Sequence, residues 1–152
     1  MEWETYMAEA LALARQAGAL GEIPVGAVVV KDGTVIGRGL NRRETDHDAT
    51  AHAEVLAIRD ACQALGGWRL EGCTLFVTLE PCPMCTGAIL QSRLSRVVYG
   101  AADPKAGCCG GLLALTEENF DIHPAIYAGV LEQECAALLR DFFAERRRTP
   151  RK

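Results

Sequence analysis

The sequence has no apolar run long enough to cross a membrane, no internal repeat and no low-complexity tract. Its longest apolar run, from Val25 to Val30, is far shorter than the roughly 20 residues that a membrane-spanning helix needs. The first residues are acidic where a secretion signal would be basic, so we expect a cytoplasmic protein with no membrane partner. Extensive disorder is not expected either, because 49% hydrophobic residues in a chain of 152 suffice to build one compact domain.

A basic excess and a disulfide framework are also lacking. The net charge of −4 argues against a protein that coats nucleic acid. Five positive charges nevertheless fall within the last seven residues, where they indicate either a solvated helix end or a nucleic-acid contact: Arg146, Arg147, Arg148, Arg151 and Lys152. The seven cysteines are odd in number and irregularly placed, which predicts reduced thiols in the cytosol.

Apolar spacing and turn residues predict a helix, a hairpin and then an alternation of helices and strands. The alternation from residue 51 onward favours parallel pairing, so residues 1–148 are expected to form one three-layer α/β domain with a mixed sheet, followed by a short basic tail at 149–152. The predicted helices are 4–17, 51–65, 83–91, 112–118 and 132–147, and the predicted strands are 25–30, 34–36, 73–79, 96–99 and 126–130.

Two short motifs carry the candidate chemistry: His52-Ala53-Glu54 and Pro81-Cys82-Pro83-Met84-Cys85, each at the start of a predicted helix. Backbone amides and the helix dipole favour anions at such a position, which helps Cys82 and Cys85 to bind a metal as thiolates. With His52 as a nitrogen ligand, a zinc ion would have three protein ligands and one open tetrahedral position. Glu54, close by in sequence, then fits the role of a general acid and base that is not itself a ligand.

Each motif taken alone has a simpler interpretation. A lone His-x-Glu on a helix is usually part of a solvated surface, and a lone Cys-x-x-Cys pair fits a thioredoxin-like redox couple or half of a structural zinc site. The redox hypothesis leaves His52 and Glu54 unexplained, whereas a catalytic zinc site uses both motifs. Adjacent Cys108 and Cys109 could offer a fourth ligand but are poorly placed for the same ion.

With these motifs the chain resembles the bacterial tRNA-specific adenosine deaminases of the cytidine and deoxycytidylate deaminase superfamily. The resemblance extends over nearly the whole chain, and its more specific parts are Asp103-Pro104-Lys105-Ala106-Gly107 and the C-terminal segment with Phe142-Phe143 and the arginines behind it. The other matching blocks are 24–29, 41–42, 49–54, 78–88 and 96–101.

The resemblance implies a cytidine deaminase-like fold, with a central mixed five-stranded sheet between helices. It also implies one zinc ion per subunit and hydrolysis of the wobble adenosine of a tRNA anticodon, usually that of an arginine tRNA, to inosine and ammonia. Carried over by position, Asn41 would hydrogen-bond the target nucleotide, and Asp103 would lie near the flanking sugar. The backbone of Val25 to Ala27 and of Ala53 would border the base. A homodimer, whose active sites draw on both subunits, would bring the basic tail to the anticodon stem-loop.

Two alternatives stay open at this point. The first is a deaminase of a free base or nucleoside such as guanine or cytosine, which would share the zinc motifs and suit the acidic body of the chain. The second is a non-catalytic RNA-binding or structural zinc protein, in which the metal only ties two helix starts together. The second alternative predicts that loss of the Glu54 carboxyl changes nothing.

Overall fold

The computed structural model describes residues 2–148, so the predicted tail at 149–152, with Arg151 and Lys152, lies outside the described residues. The helices are α1 (Glu2–Ala19), α2 (Ala53–Leu65), α3 (Pro83–Gln91) and α4 (Glu132–Arg148). The strands are β1 (Gly26–Lys31), β2 (Thr34–Leu40), β3 (Thr74–Leu79), β4 (Arg96–Ala101) and β5 (Ala125–Ala128). None of the helices in this part of the chain is long and apolar enough to cross a membrane.

The strands form one mixed sheet in the order β2-β1-β3-β4-β5. Strand β1 pairs antiparallel with β2 and β3, whereas β3, β4 and β5 run parallel, as the alternation of helices and strands predicts. The turn Asp32-Gly33 joins β1 to β2 with positive φ values of 49° and 78°, the geometry of a tight two-residue hairpin.

The sheet is covered on both faces, because alternate strand residues point to opposite sides. Helices α2 and α3 pack on one face, against side chains such as Val29, Leu75 and Val97. Helices α1 and α4 pack on the other, against the interleaved set that includes Val28 and Phe76. This arrangement confirms the expected three-layer α/β/α architecture.

Most elements begin or end within a few residues of the predicted positions, and three of the differences have a local cause. Helix α1 continues through Gly18 to Ala19, and the left-handed conformation falls on Gly21, with φ 84°. Helix α2 begins at Ala53 rather than at residue 51, because His52 has the extended backbone of an N-cap. The helix predicted at 112–118 is wrong, since a single 3-10 turn, Leu115–Glu117, is all that forms there.

Very small residues let α2 lie directly on β2. A Cβ atom on Gly39 would collide with the Ala53 carbonyl and the Ala57 amide, and one on Gly37 would collide with Ala57 and Ala61. The alanines are spaced four residues apart and so form one stripe along the helix. This contact fixes the distance between the first turn of α2 and the sheet.

We predict that Gly39→Ala lowers the free energy of unfolding by about 2 kcal/mol or more, because the added methyl group overpacks a backbone contact. Gly87→Ala is the matched control: it lies in helix α3 with no atom near its added Cβ, and it should stabilise by about 0.5–1 kcal/mol. Urea denaturation of both variants measures the difference. Equal stabilities would show that α2 can move away from β2 at little expense.

Candidate metal centre and active site

The two motifs meet at the sheet edge where β2, β3 and β4 have their C-terminal ends. His52 is the N-cap of α2 and Cys82 the N-cap of α3, and both have extended backbones there. Neither residue uses its side chain to cap its own helix. Cys85 follows in the first turn of α3, so the imidazole and the two thiols converge.

The geometry of the three groups fits a zinc ion. The His52 Nδ1 atom lies 3.7 Å from the Cys82 Sγ and 3.5 Å from the Cys85 Sγ. Zinc bonds of about 2.3 Å to sulfur and about 2.0–2.1 Å to nitrogen place tetrahedral ligands about 3.6 Å apart. Within residues 2–148 this is the sole set of three His, Cys, Asp or Glu side chains found to be spaced for a metal ion.

The pKa values of the two thiols also indicate that a cation is needed before both can ionise. A hydrogen bond donated by Cys85, with further help from His52, lowers the pKa of Cys82 to about 4 against the opposing effect of burial. The same hydrogen bond and burial raise the pKa of Cys85 well above its usual value. Two neighbouring thiolates repel each other unless a positive charge lies between them, so a divalent cation would replace the Cys85 proton.

Glu54 lies in the first turn of α2, and its side chain is buried beside these groups. Burial is the largest cause that raises the pKa of Glu54, to about 7, and the nearby Cys82 adds to it. Its own backbone amide and His52 act in the opposite direction. A carboxyl with a pKa near neutrality can both take up and release a proton, as an acid and base in turn must do.

A cavity of about 350 Å³ is lined by Glu54 and by two of the candidate metal ligands, His52 and Cys82. One wall is the segment after β2, and the opposite wall is the segment after β4. Its size falls in the range of small-molecule sites. Of the substrate-binding residues predicted from the resemblance, the lining includes Val25, Asn41, Ala53 and Asp103.

Besides Cys85, one predicted site residue is absent from the lining of the cavity, namely Ala27. It is fully buried in β1, where it pairs with Gly39 of β2 and Val77 of β3. The residue before this strand, Val25, reaches the cavity because it precedes the paired segment. Ala27 therefore lies in the core beneath the site.

The Asn41 amide is held in one orientation by the backbone around it. Its Nδ2 donates to the Ile23 carbonyl at 3.1 Å, and its Oδ1 accepts from the Arg43 amide at 3.2 Å. An amide side chain has two N–H donors and two lone pairs on its oxygen, so one of each remains for a bound molecule. The side chain is thus pre-oriented at the cavity wall.

Several residues that line the cavity were not predicted as site residues. Glu22 and Glu80 are buried carboxylates, and a charged residue directly after an apolar strand, as Glu80 is, was the signal available in the sequence. Arg146 of α4 also lines the cavity, which places part of the basic run at the site. The other unpredicted lining residues are Gly21, Ile23, Arg43, Glu44, Leu79 and Ala106.

The adjacent cysteines lie apart from the metal-ligand set. Both Cys108 and Cys109 are buried, and the Cys109 Sγ lies 3.9 Å from the Thr86 Oγ1. Burial raises the pKa of Cys109 to about 12 and shifts that of Cys108 in the same direction. Neutral, packed thiols of this kind are poor metal ligands.

Comparisons with known proteins identify the architecture. The family model of the MafB19-like deaminases matches residues 1–147. The chain is 53% identical over 146 residues to the tRNA-specific adenosine deaminase of Bacillus subtilis (strain 168), covering 95% of this chain and 91% of that one.

Two solved structures are similar to the whole fold. One, from biochemical and structural studies of A-to-I editing by tRNA:A34 deaminases at the wobble position of transfer RNA, has a TM-score of 0.83 and 47% identity, covering 88% of this chain and 98% of that one. The other, a guanine deaminase from Bacillus subtilis, has a TM-score of 0.64 and 37% identity, covering 98% of this chain and 96% of that one. These matches confirm the deaminase-like fold that the resemblance implied.

We predict that Cys85→Ser greatly weakens zinc binding and lowers stability, because one thiolate ligand is lost and metal binding contributes to folding. Cys135→Ser is the matched control, since Cys135 is equally buried but lies on the other face of the sheet. Zinc content after dialysis and the melting temperature with and without a chelator are the measurements. If both variants retained one zinc ion per chain, the assignment of Cys85 as a ligand would be wrong.

Proposed function

The chain belongs to the MafB19-like deaminase family, and we propose that it is a zinc enzyme that converts the wobble adenosine of a tRNA anticodon, that of an arginine tRNA, to inosine. The observation that carries the proposal is a buried carboxyl, Glu54, that lines one cavity with His52 and Cys82, two of the three groups spaced as zinc ligands. The identity to an adenosine deaminase that acts on tRNA supports this substrate.

In the proposed site, His52, Cys82 and Cys85 hold one zinc ion per subunit. Zinc bound there supplies Lewis acidity, which lowers the pKa of water from about 15.7 to about 7. The residues of the chain itself position the base and move protons. A structural zinc site would not need a buried carboxyl of raised pKa beside it, so this feature favours catalysis.

Glu54 is the proposed proton carrier. It takes a proton from water as the new C–O bond forms at C6 of adenine and gives that proton to the adjacent ring nitrogen. It then takes the proton of the new C6 hydroxyl group and gives it to the amine, which leaves as ammonia when the C–N bond breaks. The overall reaction consumes adenosine and water and yields inosine and ammonia. A pKa of about 7 suits both directions of this transfer.

The remaining lining residues are proposed to bind the nucleotide. Asn41 would hydrogen-bond the target nucleotide, Val25 and Ala53 would border the base, and Asp103 would lie near the flanking sugar. The base must leave its stack to enter a cavity bordered by two loops, which suits the single-stranded loop of an anticodon stem-loop. Arg146 lines the cavity, and we propose that it meets a phosphate of the RNA.

The proposal also includes a homodimer in the cytoplasm, with residues 1–148 as its single catalytic domain. Exposed apolar side chains in the segment after β4, namely Leu112, Leu113 and Phe120, support a protein partner on that side. The short tail at 149–152 would add its charges to those of Arg146.

A guanine deaminase is the second candidate, because a guanine deaminase shares the fold at 37% identity. A free base has no phosphate for a basic residue to bind, whereas a nucleotide within an RNA chain has one. The position of Arg146 therefore favours the tRNA substrate.

We predict that the zinc-loaded protein forms inosine when it is incubated with an anticodon stem-loop that has adenosine at the wobble position. Mass spectrometry of the digested RNA is the measurement, and guanine and cytosine are assayed in parallel. Glu54→Gln should keep its zinc and lose about 10²–10⁴-fold in rate, because the proton carrier is removed and no ligand is.

The outcomes separate the candidates. No inosine but turnover of guanine would replace the proposed substrate by a free base. Unchanged activity of Glu54→Gln would contradict its role, and loss of zinc from that variant would make Glu54 a ligand instead.

We also predict that Arg146→Ala weakens stem-loop binding at low salt, because a phosphate contact is lost. The slope of log affinity against log salt should become shallower by about 0.7–0.9. Arg140→Ala, on the same helix but not at the cavity, is the control for the change in net charge. Stem-loop binding is measured by fluorescence anisotropy. If the two variants weakened binding equally, Arg146 would contribute only through the net charge of the protein and not through a phosphate contact.

A further inference from the structure

Two carboxylates are buried beside the cavity without taking part in the metal-ligand set. Glu22 and Glu80 are each only 2% exposed. In the described part of the chain, 2–148, neither forms an ion pair within 4.0 Å. A buried carboxylate without a cationic partner must be satisfied by hydrogen-bond donors, so the donors show what each one holds.

Glu80 holds the segment after β4 through its backbone. The Oε1 atom accepts from the Asp103 amide at 2.9 Å. The Oε2 atom accepts from the amides of Cys109 at 3.0 Å and Gly111 at 2.7 Å. Three amide donors on one carboxylate are charge-assisted hydrogen bonds, which are stronger than neutral ones.

The segment approaches Glu80 so closely that side chains are excluded. A Cβ atom on Gly107 or Gly111 would collide with the Glu80 carboxyl group. The Cys108 amide also donates to the Pro81 carbonyl at 2.9 Å, beside Glu80 in the chain. The segment is therefore wrapped around the turn that leads to Cys82.

Hydrogen bonds continue from Glu80 to the cavity surface. The Asp103 Oδ1 accepts from the amides of Lys105 at 3.1 Å and Ala106 at 3.2 Å. Asp103 and Ala106 both line the cavity. The Glu80 carboxylate thus supports this wall through the residue that the proposed function places at the substrate.

Glu22 holds the other wall of the cavity, the segment after β2, through hydrogen bonds in the same way. Its Oε1 accepts from the Glu44 amide at 3.1 Å, and its Oε2 accepts from the Thr45 amide at 2.7 Å and the Thr45 hydroxyl at 2.6 Å. Burial raises the pKa of Glu22, but these hydrogen bonds outweigh it and hold the pKa below its usual value. The segment held in this way carries Asn41 and Glu44, which line the cavity.

We infer that Glu22 and Glu80 are positioning residues, one for each wall, which set the width of the cavity by holding the backbone of the two loops that border it. Neither residue is assigned a chemical step. Their effect on tRNA turnover rests on the proposed function, whereas their effect on the loops does not.

The test uses Glu22→Gln and Glu80→Gln, each of which keeps the shape of the side chain and serves as the control for the other. In Glu80→Gln the single carbonyl oxygen can satisfy Cys109 and Gly111, and the new NH₂ group then opposes the Asp103 amide. In Glu22→Gln the NH₂ group faces the Glu44 amide in the same way, so two donors meet and that hydrogen bond is lost.

Amide hydrogen exchange of the zinc-loaded protein without RNA is measured first. Exchange at Asp103 should be about tenfold faster in Glu80→Gln and unchanged in Glu22→Gln, since one charge-assisted hydrogen bond is lost. The reverse is expected at Glu44. Unchanged exchange at both amides, or faster exchange throughout the chain in either variant, would overturn the inference.

Kinetics with the stem-loop then separate positioning from general stability. Both variants should keep one zinc ion per chain and lose about tenfold in kcat/KM, mainly through a higher KM, because the walls and not the proton carrier are disturbed. A lower melting temperature with unchanged KM would make the two carboxylates merely structural and would overturn their role at the site. If the unsubstituted protein forms no inosine, the proposed function fails, and hydrogen exchange still decides whether the carboxylates hold the loops.

Discussion

The starts of two helices hold two sulfur atoms and one imidazole nitrogen within 4.8 Å of one another. The sheet and the packing of the helices on it determine where these three atoms lie. Two thiols so close together cannot both ionise unless a cation lies between them. The helices can present their first turns at one sheet edge because β3 leads directly into α3 and because α2 lies against glycines of β2. The packing of the two helices therefore determines both the protonation of the two thiols and their affinity for a metal ion.

The site divides into a part for chemistry and a part for binding, and the two have different supports. The groups for chemistry lie on helix starts that the sheet holds from below. The groups for binding lie mainly on two loops, which have no regular structure of their own and depend on buried carboxylates. The two parts meet at Glu80, which lies two residues before Cys82 and holds the segment after β4.

The parts of the site that could be predicted from sequence are those in which neighbours along the chain are also neighbours in space. His52 and Glu54, and likewise Cys82 and Cys85, are fixed by one helix turn each, so their spacing already indicates the metal set. The backbone of Ala27 was expected to border the base, but Ala27 does not line the cavity, because it lies inside β1 with a paired strand on each side. The contacts of Glu22 and Glu80 join segments 22 or more residues apart, which no local pattern reveals.

The glycine and alanine contact between β2 and α2 also limits how proteins of this architecture can diverge. Any larger side chain at Gly37, Gly39 or the facing alanines would lift the helix and with it His52 and Glu54, so these positions have almost no freedom to vary. In the loops after β2 and β4, only Gly107 and Gly111 are restricted by such a close contact. Substitutions in these loops could change the substrate while the contact between β2 and α2 stays the same. A designer who wished to change the substrate would begin with the same loop residues.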